Sequence, residues 1–143
     1  LRSTLCENPG RVESGRTPAF EGMIDLRYHS RAVLLALRLE VRERAGLPIV
    51  PPRRTGRGTR QLSAREAEMA VLASRRAVGR LCSLKTCLAR SIVLFQLLER
   101  RYPVTLVLGF RPGADGPEGH AWVALDGVPL GEPPDCPDSY TSV

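Results

Sequence analysis

"TCLARSIVLFQLLERRYPVTLVLGF", residues 86–110, is the stretch whose reading decides the fold. A threonine just before an apolar run is a helix N-cap, because its side-chain oxygen accepts from a backbone N–H that the first turn leaves unpaired; Cys87 is then the first helical residue. Leu88, Ile92, Val93, Leu94, Phe95, Leu97 and Leu98 fall on nearly every side of that helix. A helix apolar all round is one enclosed by other elements, so this one is predicted to be central. Pro103 cannot continue a helix, and "VTLVLGF", 104–110, reads as a buried strand.

Downstream, "PGADGPEG", 112–119, reads as a Gly/Pro loop. Residues 120–125 then alternate, placing His120, Trp122 and Ala124 on one strand face and Ala121, Val123 and Leu125 on the other. Asp126-Gly127 is a hairpin turn signal, "VPLGE" returns as a strand, and "PPDCPDSYTSV" reads as an irregular tail.

Upstream, Ser63 followed three residues later by Glu66 is a capping-box signature. It opens a helix running to about Gly79, with Ala67, Ala70, Val71 and Val78 on one side. From His29 to Ala45, apolar residues recur at helical spacing (Val33, Leu37, Val41, Ala45) until Gly46 and Pro48 stop the pattern, which predicts a core-facing helix. Residues 47–62, with "RRTGRGTR" at 53–60, read as a solvated, mobile linker, and residues 1–28 as an irregular arm. The expected organisation is therefore 1–28 arm, 29–62 helix plus Pro/Gly/Arg linker, and 63–143 core, without internal repeats.

Composition narrows the function classes. A chain of 143 residues is one domain in size, and 43% hydrophobic with 25% charged residues is the make-up of a folded globular protein. The net charge of +6 invites a nucleic-acid partner, but the arginines are scattered and the one dense cluster has no interleaved aromatics on which bases could stack. An acidic peptide or protein is the better-matched partner, and no nucleic acid is expected. Four cysteines without signal-peptide pattern or disulfide-scaffold density point to a reducing, cytoplasmic compartment. Cys82 and Cys87 have four residues between them and no ligand-rich partner segment, which is not zinc-site spacing. "AVLLALRLEV", 32–41, is half the roughly 20 residues of a membrane span and contains Arg38.

One pair of residues has the makings of chemistry. A cysteine in the first turn of a helix sits among unpaired N–H groups at the positive end of the dipole, which favours thiolate over thiol. Cys87 is placed that way, and the same N–H groups could form an oxyanion hole. His120, 33 residues further on, begins a strand that packs against this helix if the helices are followed by an antiparallel sheet. Nucleophile, base and a third group that orients the base is the logic of cysteine hydrolases. Against it stands the ordinary occurrence of cysteine as a small buried hydrophobe, of histidine as a core hydrogen bonder and of Trp122 as packing.

The segments "TCLARSIVLFQLLERR", "VTLVLGFR" and "GHAWVALDGVPLGEPPD" together resemble the transglutaminase-like cysteine peptidases of lasso-peptide biosynthesis, the microcin-processing leader peptidases, over residues 64–136. The resemblance implies an α+β, papain-like or transglutaminase-like fold, with N-terminal helices and a small antiparallel sheet packed on the helix that begins with the catalytic cysteine. It implies a peptidase that removes the leader from a ribosomally made precursor through a thioester, without metal or organic cofactor. Implied partners are the precursor peptide, leader and core, a separate PqqD-like leader-binding protein and an ATP-dependent lasso cyclase. Cys87 matches the family's nucleophile and His120 its general base.

The third member departs from the family pattern. Where the family has an aspartate in an N-D-x-P-D segment, this chain has "GEPPD", giving Glu132, and Ala124 replaces the glutamate that follows the family's HAWV. Asp126 competes, although its place in an Asp-Gly turn already accounts for it. A strict two-residue turn would put Glu132 opposite Ala121, on the wrong face. A three-residue turn, Leu125-Asp126-Gly127, pairs Ala124 with Val128 and puts Glu132 opposite His120, and this register is the expected one. Two other functions fit the same residues: a transglutaminase-like acyl transferase, and a non-enzymatic basic module that binds peptide or nucleic acid.

Overall fold

A computed structural model describes residues 21–50 and 53–142, with side chains from Leu26 onward. Three helices, α1 (Glu21–Arg44), α2 (Ala64–Leu81) and α3 (Cys87–Leu98), precede four strands: β1 (Val104–Gly113), β2 (Gly116–Leu125), β3 (Val128–Pro129) and β4 (Thr141–Ser142). The sheet order is β3-β2-β1-β4, antiparallel throughout. The chain is thus an α+β protein with its helices first.

α3 is the hub, packing on α1, α2, β1 and β2. Ile92, Val93, Phe95 and Leu98 are fully buried there. Each such side chain contributes roughly 1.5–3 kcal/mol through removal from water, which is why the most apolar helix takes the centre. Ser91 is buried among them and donates its hydroxyl to the Ala121 carbonyl, 2.8 Å away, pinning α3 to β2 one turn beyond Cys87. The capping box at Ser63–Glu66 forms in full. The buried Tyr102 hydroxyl also donates to Glu66, at 2.9 Å, tying the start of α2 to the end of α3. Burial first, and that hydrogen bond second, hold the Tyr102 phenol well above its ordinary range, while the cap lowers Glu66.

α1 buries a different face from the one its spacing predicts. Val33, Leu37 and Val41 are 39%, 44% and 64% exposed, whereas Ala32, Ala36 and Leu39 face the core. Small residues let the α1 backbone approach α2 and α3 closely, and that fit outweighs the larger side chains' hydrophobicity. α1 also starts at Glu21, so residues 21–28 are helical rather than part of an irregular arm; the rest of the arm, 1–20, lies outside the described residues.

The described part of the expected linker is instead a hydrogen-bonded strap. Gly56 N–H donates to Val104 O at 2.7 Å, Arg57 N–H to Glu99 O at 2.8 Å and Leu106 N–H to Arg54 O at 2.6 Å. The strap lies so close that a Cβ on Gly56 would stand 2.4 Å from Tyr102 O. The glycines that suggested mobility are there for contact.

The expected loop at 112–119 is mostly strand. β1 and β2 pair down to Gly113↔Gly116, with Pro112 opposite Pro117, so the two missing N–H groups coincide on one rung. The tail is ordered too, as a 3-10 turn, Cys136–Ser139, and β4, which pairs with Gly109 and Phe110. Among the described residues no helix is long and apolar enough to cross a membrane.

Candidate active site

Cys87 opens α3 as its N-cap predicts, with the Thr86 hydroxyl accepting from Ala89 N–H at 3.2 Å. β3 reaches only Ala124 and Leu125, which leaves the outer edge of β2 at Ala121 to α3. There Ser91 takes the Ala121 carbonyl, and the Ala121 N–H is directed at the Cys87 sulfur. The strand edge and the helix start are thereby locked together, and His120 is delivered beside the thiol. His120 also stands where β2 passes from exposed residues, 116–119, to buried ones, 121–124, so its ring has one side in the protein and one towards solvent.

The thiol and the imidazole shift each other in the direction of charge. Hydrogen bonding to His120 is the largest cause holding the Cys87 thiol below its ordinary value, against burial, with help from the Ala121 and Leu88 N–H groups. Pairing with Cys87 first, and with Glu132 second, raises the His120 imidazole to about 9. Cys82, buried and facing the Ala36 carbonyl, is moved the other way, up, mainly by burial. The same residue type is thus shifted towards thiolate at one position and away from it at the other.

Glu132 Oε2 lies 3.6 Å from His120 Nε2, the separation of an ion pair rather than of a short hydrogen bond. The route by which it arrives differs from the expected register. Leu125 pairs with Val128 and Ala124 with Pro129, a strict two-residue turn with Asp126 at φ 50 and Gly127 at φ 81. Aspartate tolerates the left-handed region, and positive φ at both central residues is what the turn best matched to strand twist requires. Continued, that ladder would set Glu132 opposite Ala121. It stops instead: Leu130 N–H makes one more bond, to Val123 O, and Gly131 at φ 73 swings the chain out of the sheet. Asp126 stays in the turn, six residues along from His120.

Several residues that place the site carry no mark in the sequence. Arg75 of α2 donates to the Gly131 carbonyl, and its guanidinium stands 4.0 Å from Glu132 Oε1. Val71 of α2 fills the space where a Gly131 Cβ would be, 2.6 Å from its Cγ1. The His120 ring stacks on Trp122 (5.8 Å between centroids) and on Tyr140 (5.3 Å), and Arg111 covers the Tyr140 ring at 4.9 Å. Gly109, paired with His120 on β1, makes room for this stack; a Cβ there would meet Trp122 at 2.9 Å and Tyr140 at 2.7 Å. Of these, Trp122 shares the His120 strand face by alternation and Gly131 stands next to a short strand; Arg75, Val71, Gly109, Arg111 and Tyr140 had no local signal pointing to the site.

His120, Glu132 and Cys136 offer nitrogen, oxygen and sulfur atoms within 4.8 Å of one another. A thiophilic cation could take these donors only in competition with the proton on His120. Cys82, Cys87 and Cys136 are all free thiols.

The transglutaminase-like superfamily domain matches residues 31–143, most of the chain and every element named above except the first turns of α1. The chain belongs to the transglutaminase-like superfamily. No curated protein and no solved structure matches it. Members of the superfamily are generally cysteine peptidases or acyl transferases, chemistries that call for a thiol nucleophile with a base beside it. In this superfamily member Cys87 at the start of α3, His120 on β2 and Glu132 in the segment after β3 come together through the α3–β2 lock and the turn at Gly131.

Proposed function

We propose that this superfamily member is a cysteine peptidase that removes the leader from a ribosomally made lasso-peptide precursor. The observation that carries the peptidase reading is the Cys87–His120 pair, with Glu132 3.6 Å behind the imidazole. The resemblance of "GHAWVALDGVPLGEPPD" to lasso-peptide leader peptidases supplies the substrate class.

The Cys87 thiolate attacks the scissile carbonyl carbon, and the carbonyl π electrons move to oxygen. The resulting oxyanion lies near the N–H groups at the start of α3. Collapse of this intermediate breaks the C–N bond, the His120 imidazolium gives its proton to the leaving amine, and a thioester to Cys87 remains. Neutral His120 then takes a proton from water as its oxygen attacks the thioester. Collapse of that second adduct releases the carboxylic acid product, which loses its proton to solvent, and restores the thiolate–imidazolium pair. Glu132 holds the ring and stabilises its cation throughout. Neither step needs a metal or an organic cofactor.

The proposed partners are the precursor peptide, a separate PqqD-like protein that presents the leader, and an ATP-dependent cyclase that closes the freed core; the proposed compartment is the cytoplasm. The test is incubation with precursor and leader-binding protein, read by mass spectrometry. Free leader is expected with the native chain and none with Cys87→Ala. An amide-linked product with added amine, in place of free leader, would make acyl transfer the main reaction. Cleavage that survives Cys87→Ala would overturn both.

A further inference from the structure

The face of α1 that its spacing marks as apolar is uncovered among the described residues. Leu26, Val33, Leu34, Leu37 and Val41 are between 39% and 69% exposed. On an α-helix they form one stripe about 22 Å long, roughly four turns. Beside it, on the same helix, runs a row of arginines, Arg31, Arg38 and Arg42.

Leu34 belongs to the stripe and also to a groove of about 560 Å3 between α1, residues 48–50 with Arg53, and the end of α3. Leu35, Leu39 and Ile49 contribute apolar surface to it; Arg31, Arg38, Arg42, Arg53 and Arg100 line it, with Glu99 the one carboxylate. Arg42 is fixed in place by donating to the Pro48 carbonyl through both Nε (2.9 Å) and Nη2 (2.7 Å).

We infer that α1 and this groove form a docking surface for an acidic amphipathic helix presented by another protein. Leucine-type side chains of the partner lie along the stripe, and its carboxylates meet the arginine row, where guanidinium groups pair with carboxylates two bonds at a time. Charge selects this occupant. A second copy of a +6 chain is repelled, and the chain's own residues 1–20 carry three arginines against two glutamates. Nucleic acid finds no aromatic platform here, and a flat anionic bilayer cannot follow the arginines into a concave groove. The surface lies at the C-terminal end of α3, roughly 15–20 Å along the helix from Cys87, so an occupant leaves the nucleophile open.

The test is fluorescence anisotropy of the full chain with a labelled synthetic helix bearing leucines at i, i+3, i+4 and i+7 and glutamates on the flanks. A lysine version and a scrambled acidic version serve as controls. The acidic helix is expected to bind, the lysine helix not, and Leu37→Asp and Arg38→Glu each to weaken binding roughly tenfold or more. Added salt lowers the affinity. Both substitutions are at exposed positions, and an unchanged rate of Cys87 alkylation reports an intact fold. The readout is binding, so it stands apart from the peptidase reading. No binding, equal binding of the scrambled peptide, or affinity kept by both variants overturns the inference. So does a Leu37-dependent homodimer that excludes the peptide, affinity gained only on deleting residues 1–20, or preference for vesicles of equal parts phosphatidylserine and phosphatidylcholine.

Discussion

Glu132 reaches Nε2 of His120, at 3.6 Å, from a chain that has already left the sheet. A residue in the ladder at that point would face Ala121, so the contact exists because Gly131 turns the backbone and Arg75 and Val71 hold the turn. The positions that bear on the proposed chemistry are therefore not only those that touch the substrate.

Glu132→Gln keeps the shape and removes the charge behind the imidazole. A charge-assisted contact contributes about 1.5–3 kcal/mol, so kcat for leader cleavage is expected to fall roughly 10- to 150-fold. Asp126→Asn, in the turn, leaves kcat within about twofold. Steady-state kinetics of the two variants side by side decide the assignment, and the reverse ranking would refute it.

Gly131→Ala meets two obstacles, a φ of 73 and a Cβ placed 2.6 Å from Val71 Cγ1. A cost of about 1–3 kcal/mol in urea unfolding is expected, with loss of activity as Glu132 shifts. Adding Val71→Ala relieves the contact but not the backbone strain, so recovery is partial. Full recovery would show that the left-handed conformation is unimportant.

Arg75→Met removes the donor to the Gly131 carbonyl. Its guanidinium is half exposed, so the melting temperature should change little. kcat should fall several-fold with KM unchanged, because the carboxylate loses its position while the substrate contacts stay. Partial rescue by Arg75→Lys distinguishes positioning from bulk, and equal loss of stability and rate would count against it.

Alkylation of Cys87 by iodoacetamide reports the thiolate directly. Because His120 lowers the thiol from its ordinary 9.0, the rate should rise at a lower pH than for an unperturbed cysteine. His120→Ala should move that midpoint back up. His120 itself, raised from 6.5 to about 9, keeps its proton more tightly in the fold. Its contribution to stability is complete below 6.5 and is lost as pH rises through about 9, which also sets the alkaline limb of peptidase activity. An alkylation midpoint unmoved by His120→Ala would separate the two residues.

Glu40 accepts from Ser83 Oγ (2.5 Å), Ser83 N–H (2.7 Å) and Arg44 (2.7 Å), which lower its carboxyl from 4.5 to about 2. A depressed carboxyl stabilises the fold above 4.5 and loses that contribution as pH falls towards 2. Wild type should therefore lose stability more steeply over that interval than Glu40→Gln, as followed by circular dichroism. Parallel curves would remove Glu40 from the account of acid unfolding.

What the residues determine by themselves is local. Thr86 before an apolar run starts α3 at Cys87, Ser63 with Glu66 starts α2, and the stretch from His120 to Leu125 reads as strand, although β2 begins four residues earlier, because caps and periodicities involve neighbours a few residues apart. Tertiary structure decided the rest. Val33, Leu37 and Val41 have the spacing of a core face, yet α1 turns its alanines inward, since close approach to α2 and α3 depends on what those helices present. The turn at Asp126-Gly127 took the register that was not expected, and Glu132 came to His120 nonetheless. The force that brings it there is exerted by Arg75, a residue 56 positions from Gly131 in sequence and adjacent to it only once the helices have packed on the sheet.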